Sequence, residues 1–253
     1  MSFAFPDVRR QVSDAEWAMR VDLACAYRLA NHYRWTDQIY THFTAKVPGE
    51  DHFLINPYGV LFDEVTASCL VKVDYDGRVL LSASGIGINQ AGFVIHSCVH
   101  RARPDFASVL HTHSANGLAV AAQKRGLLNL TQHSMRFHNR IGYHDYEGLA
   151  QDFDEQKRLV RDLGPHKAMI LRNHGLLAAG TTIRDSFEQL YYLERACEAQ
   201  IRAQSAGVEL IECMGEVAEK VALALDKPGR TAYEHDWPAL RRWMDRVDPS
   251  YAT

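Results

Sequence analysis

Two stretches decide how this chain is read: Ser108-Val109-Leu110-His111-Thr112-His113 and Ile170-Leu171-Arg172-Asn173-His174-Gly175. The first reads as a strand over 107–113. Successive strand residues alternate faces, so His111 and His113 project from the same side and can grip one ion together. A second strand is expected over 167–171, with Asn173 and Gly175 marking its end, so His174 stands at a turn where it could complete a three-nitrogen face. Three neutral ligands with one position left to water is the pattern of a catalytic metal, whereas a structural site closes with a fourth protein ligand. A His-x-His pair alone is common on surfaces and in cores. The third histidine at a second strand-to-turn junction is what raises the metal reading.

Around these stretches the pattern alternates between helix and strand. Ser13 and Glu16 have capping-box spacing, and Trp17, Val21, Ala24 and Tyr27 recur at helical spacing up to about Tyr33. Segments 69–73 and 78–82 flank the Asp76-Gly77 turn as a hairpin. Helices are expected over 90–102, stopping before Pro104, over 115–124 and over 149–163, with 142–148 read as turn-rich. Thr182 and Asp185 can cap a long helix to about Ser205, and 208–225 extends a helical C-terminal third. The expected fold is therefore a layered α/β domain spanning 1–253, with a central mixed or antiparallel sheet flanked by helices and a helical C-terminal extension. Asp226 to Arg230 is the one linker-like stretch.

Composition excludes several classes of function. With 253 residues, 47% of them hydrophobic, the chain can bury a substantial core. Its net charge of −3 and scattered Lys and Arg give no footprint for nucleic acid. Apolar runs fall far short of the roughly 20 residues of a membrane helix, and 1–12 lacks a secretion-signal pattern. Five widely spaced cysteines with no Cys-x-x-Cys suggest neither a disulfide framework nor a thiolate zinc site, so a reducing cytoplasm is expected.

In order along the chain, the hairpin 69–82, Arg103-Pro104-Asp105 leading to His111-Thr112-His113, the run from Tyr143 to Gly148, and Asn173-His174-Gly175 followed by Leu-Leu-Ala-Ala-Gly together resemble the class II aldolase/adducin family over about residues 18–205. The resemblance implies a largely antiparallel sheet between helical layers and a homotetramer with active sites near subunit junctions. It places His111, His113 and His174 as ligands of a divalent metal, zinc foremost, with manganese, iron and cobalt as alternatives that imidazole ligands also suit. Such an ion acts as a Lewis acid toward the enolate left by breaking a carbon–carbon bond.

The sequence departs from the sugar-phosphate aldolases at their acid/base glutamate, whose position is Gly92, and at their phosphate-holding serines, which fall on Gln90 and Ala91. The asparagine of their phosphate loop corresponds to His42 and the glycine of their threonine-glycine turn to Gly59. His42, Gly59 and Gln90 are thus carried over as substrate-lining positions, toward a small molecule without phosphate. His133, beside the point where a family tyrosine enters the site, is a candidate proton donor or acceptor near its ordinary pKa. Tyr233 is a candidate to reach a neighbouring subunit's site, as a tyrosine does in some aldolases. His96 and His100, four apart on a helix, could share a metal, but their apolar neighbours favour ordinary packing.

The resulting expectation is a metal-dependent lyase acting on a non-phosphorylated hydroxy- or oxo-acid by decarboxylation or retro-aldol cleavage. The missing glutamate tilts it toward decarboxylation, which needs no hydroxyl deprotonation. An iron-dependent oxygenase and a non-catalytic adducin-like interaction module are the alternatives.

Overall fold

The computed structural model describes residues 5–148, 153–226 and 234–253. Among these residues the strands form one eight-stranded sheet: β1 (His42–Lys46), β2 (His52–Ile55), β3 (Val71–Asp74), β4 (Val79–Leu81), β5 (Ser108–Thr112), β6 (Ile141–His144), β7 (Ala168–Leu171) and β8 (Gly175–Gly180), in the order β4-β3-β2-β1-β5-β8-β7-β6. Every pairing is antiparallel except β6 with β7. The layered, largely antiparallel sheet expected from the sequence is what forms.

Alternation along the strands supplies two cores. Leu110 and Leu176 face α1 (Asp14–His32) and α6 (Ile183–Ser205), joining Phe43, Leu54, Phe187 and Leu190. Their neighbours Val109 and Leu177 face the other way, toward Val99 of α2 (Gln90–Ala102) and Leu159 of α5 (Phe153–Leu163). Strands apolar on both faces are those that must be covered by helices twice.

The helix ends follow their caps. The Ser13 hydroxyl accepts from the Glu16 N–H, Asn89 accepts from Ala91 N–H to start α2, and Thr182 accepts from Asp185 N–H to start α6. Glu16 does not reach back to complete a capping box. It is buried, and its carboxylate accepts from Arg20 Nε at 2.9 Å and Lys72 Nζ at 2.8 Å. Gly207, at φ 64°, ends α6 in the left-handed region. The next helix, α7, covers only Gly215–Leu225, so the helix expected from 208 starts later. After α8 (Asp236–Val247), the C-terminal turn docks on the strand entrance, where Ala67 N–H and Ser68 N–H donate to the Tyr251 and Thr253 carbonyls.

One expected turn is a strand instead. Within 142–148 the structure uses Ile141–His144 as the parallel edge strand β6. Gly142 marks a close approach there, since a Cβ would lie 2.4 Å from the Asp162 carbonyl oxygen of α5. The residue that looked like a turn signal is what lets a helix close on a strand.

Beyond the Thr44–Ile55 rung, β1 and β2 part, and the Tyr27 hydroxyl from α1 takes the place of the next one. It accepts from Phe43 N–H at 2.7 Å and Asn56 N–H at 3.3 Å, and it lies 2.6 Å from the Phe43 carbonyl and 2.8 Å from Asn56 Oδ1. This buried hydroxyl therefore stabilises the divergence that begins next to His42. Tyr27→Phe removes the bridge and leaves buried backbone groups unpaired, at a cost of about 1–3 kcal/mol. Urea unfolding of the two proteins checks it, and a difference within error contradicts the role assigned to the hydroxyl.

Candidate metal centre

His111 lies at the end of β5 and His113 just beyond it, while His174 closes the three-residue turn between β7 and β8. Asn173 takes φ 56° to make that turn. A Cβ on Gly175 would stand 2.4 Å from the Thr112 carbonyl oxygen, so only glycine allows β8 to run this close to the histidine strand. The three rings converge with centroids 4.6, 4.8 and 5.0 Å apart, and one ligand atom from each lies within 4.8 Å of the others.

Their hydrogen bonds determine which nitrogens are free. His111 Nδ1 is 2.8 Å from the Leu176 carbonyl, which can only accept, so the proton of the neutral ring sits on Nδ1. His113 Nδ1 is 2.9 Å from Asp37 Oδ2, and a carboxylate likewise takes that proton. Both Nε2 atoms are then left with lone pairs, and they face each other at 2.9 Å. Two lone pairs at this distance repel unless a positive charge sits between them. A shared proton satisfies two rings, whereas a metal ion would satisfy all three, including that of His174, whose ring nitrogens have no hydrogen-bond partner among the described residues. Burial, with His113 and His144 nearby, lowers the His174 pKa to about 4, and burial with the surrounding histidines holds His111 well below the ordinary value. These two rings are therefore neutral at pH 7 and could serve as metal ligands.

Strand β5 is anchored from behind. Thr112 and Ser114 donate hydroxyl hydrogens to the two oxygens of buried Glu194 on α6, Thr112 at 2.6 Å. Ser114 also caps α3 (Ala115–Ala121) by accepting from Gly117 N–H. One carboxyl thus fixes the residues on either side of His113.

The cleft over the triad encloses about 240 Å³ and is lined also by Asp37, Tyr40, His42, Asn89 and Tyr146. A larger groove of about 420 Å³, among Tyr33, Phe187, Tyr191 and Trp243, contains none of the three histidines. Its lining is largely aromatic with Arg184, Glu188 and Asp236 among it, and no cluster of metal-ligating side chains of the described residues lies there, so the chemistry is assigned to the smaller cleft.

The remaining candidates are dispersed. His42, at the start of β1, stacks against His111 with centroids 5.4 Å apart. Gln90 is exposed at the start of α2, although its neighbours Asn89 and Ala91 line the cleft. Gly59 occupies an exposed turn at φ 92°, and exposed His133, on the short helix α4 (Gln132–Met135), packs its ring 5.1 Å from Tyr192. Neither of these two lines the cleft. Tyr233 lies outside the described residues. His96 and His100 share no ligand cluster; both are buried, and both reach the Thr44 hydroxyl, at 2.7 and 2.8 Å.

Sequence reasoning missed Asp37, 76 residues from its histidine, and it missed what fills the space above Gly92. A Cβ there would lie 2.2 Å from His42 Cδ2 and 2.3 Å from Nε2. The His42 ring stands where a side chain at 92 would begin.

The family model Class II Aldolase and Adducin N-terminal domain matches residues 21–201. The chain belongs to the class II aldolase/adducin family. Within it, the chain is 48% identical to a Pseudomonas aeruginosa protein named "Putative aldolase class 2 protein", over 97% of this chain and 96% of that one. It is 42% identical to rat alpha-adducin over 76% of this chain, which is 26% of the adducin. Among solved structures, an aldolase II superfamily protein from Pseudomonas syringae superposes with a TM-score of 0.94 at 53% identity, over 97% and 99% of the two chains. L-fuculose 1-phosphate aldolase from Glaciozyma antarctica superposes at 0.82 with 27% identity, over 99% and 96%.

Glu194 gives this class II aldolase/adducin chain a pH signature. Burial raises its pKa to about 7 against the two hydroxyl hydrogen bonds that lower it, while the unfolded value is near 4.5. Between those values the folded state holds the proton and the unfolded state has lost it, so the group's contribution to stability falls as pH rises from about 4.5 to 7. Glu194→Gln removes the titration. Relative to the variant, the wild type is expected to lose a few kcal/mol between pH 4.5 and 7.5 in urea unfolding. Parallel pH profiles contradict the assignment.

Proposed function

We propose that this chain is a divalent-metal-dependent lyase that cleaves a carbon–carbon bond of a non-phosphorylated hydroxy- or oxo-acid. The observation that carries this reading is the pair of inward lone pairs on His111 and His113 beside the unpartnered His174 ring. A divalent ion held there, zinc foremost, would supply Lewis-acid stabilisation of negative charge developing on the substrate's carbonyl oxygen.

The chain's own residues define the rest. The Leu176 carbonyl and Asp37 carboxylate keep the ligand nitrogens bare and their rings oriented. No Lys or Arg lines the cleft among the described residues, and Asp37 adds negative charge, which supports a substrate without phosphate. The His42 ring occupies the space above Gly92, so a group able to accept a proton lines the cleft for either decarboxylation or retro-aldol cleavage.

Assembly into a homotetramer belongs to the same reading. Exposed Ile211 and Met214, with Val217 and Leu223 of α7, offer apolar surface for subunit contact. A monomeric mass in solution rejects that part. The likeness to alpha-adducin favours a second reading, a non-catalytic interaction module, which metal-dependent turnover would exclude.

Replacing His111, His113 or His174 by Ala is expected to abolish stoichiometric zinc binding and carbon dioxide or aldehyde release in a screen of hydroxy- and oxo-acids. Asp37→Ala is expected to weaken zinc binding about 10- to 100-fold with the three histidines intact. Undiminished turnover by metal-stripped protein contradicts the proposal.

A further inference from the structure

Behind the cleft runs a hydrogen-bonded string that leaves the metal centre and ends in the core between the sheet and α2. His42 Nδ1 lies 3.1 Å from His96 Nε2, His96 Nδ1 lies 2.7 Å from Thr44 Oγ1, and Thr44 Oγ1 lies 2.8 Å from His100 Nε2. All four side chains are buried. Three imidazoles in series around one hydroxyl exceed what packing requires.

The proton positions along this string follow from its closed end. Thr44 has one hydrogen to donate, and its oxygen has three neighbours: the two imidazoles and the Val109 carbonyl at 3.3 Å. A carbonyl can only accept. If Thr44 donates to Val109, both imidazoles must donate to Thr44. The Phe106 carbonyl favours a proton on His100, although Nδ1 does not reach full hydrogen-bond geometry with it. If that proton sits on Nδ1 of the neutral ring, Nε2 is bare and Thr44 donates to it. With both imidazoles donating, neutral His100 would carry its proton on Nε2 and turn a bare Nδ1 to the Phe106 carbonyl, which leaves Thr44 donating to His100; the Thr44 hydrogen then points away from His96, so His96 donates from Nδ1. Its Nε2 is then an acceptor, and the donor it faces is His42 Nδ1.

We propose that Thr44 and His96 lock His42 in the tautomer protonated on Nδ1, so that its bare Nε2 faces the cleft as acceptor for a hydroxyl of the bound substrate. The opposite polarity would leave Thr44 donating to His96 and the Phe106 carbonyl facing an unprotonated His100 nitrogen. Among the described residues His42 Nε2 has no hydrogen-bond partner, and the ring is held over Gly92 where any larger residue would displace it. Burial keeps His42 and His96 neutral, their pKa values well below the ordinary one. His42 and its string therefore select a substrate that carries a hydroxyl donor on the His42 side of the cleft. The substrate half of this statement rests on the lyase reading; the tautomer does not.

The test is two-bond 1H–15N correlation NMR on metal-free protein labelled with 15N-histidine, with His42 signals assigned by their loss in His42→Asn. Wild type and Thr44→Ser are expected to show His42 protonated on Nδ1. Thr44→Val, which removes the hydroxyl, is expected to shift His42 toward the Nε2-protonated form. A wild-type His42 protonated on Nε2, or a tautomer unchanged in Thr44→Val, overturns the proposal; if Thr44→Val does not fold, wild type and Thr44→Ser decide. In zinc-loaded protein, glycolate is expected to move the His42 Nε2 resonance while methoxyacetate, which lacks the hydroxyl hydrogen, does not. Equal responses overturn the hydroxyl assignment. Protein that binds no zinc contradicts the lyase reading and leaves the tautomer result standing.

Discussion

Two imidazole nitrogens stripped of their protons by a carbonyl and a carboxylate, and held 2.9 Å apart, are the constraint around which this molecule is arranged. Nothing in the local sequence would hold like lone pairs together. The fold does so through the sheet register, which pairs His111 with Leu177, through Gly175 against the Thr112 carbonyl, and through Glu194 gripping the strand from behind. A cation between these nitrogens would relieve their repulsion, so the triad could hold a metal ion.

The second constraint is the exchange between positions 42 and 92. A glycine on α2 and a histidine on β1 occupy one volume between them, and the Tyr27 hydroxyl stabilises the place where β1 leaves β2 beside that histidine. The string from His42 to His100 then continues the polar character of the cleft into a layer that is otherwise apolar. Buried polar chains of this kind are costly unless their members are matched, and here the Phe106 carbonyl at the far end sets the direction.

Much of this was legible in the sequence because its causes are local. Caps at Ser13, Thr182 and Pro104 beyond α2 bounded the helices, and the two-residue spacing of His111 and His113 placed both on one face. His174 could be joined to them through a strand-to-turn reading. What stayed hidden depends on contacts between distant segments. Asp37 carries no motif, β6 was masked by a glycine that serves a helix contact, and the helical spacing of His96 and His100 showed a shared face without showing Thr44 across from it. Gly92 offers no side chain, and only the folded chain shows which ring takes its space.

X-ray absorption spectroscopy of the zinc-loaded protein reads the ligand set of the three histidines. Three imidazole nitrogens at about 2.0–2.1 Å are expected, with light-atom scatterers completing the shell. Zinc bound through fewer than three imidazoles, or through a thiolate sulfur at about 2.3 Å, would contradict that ligand set.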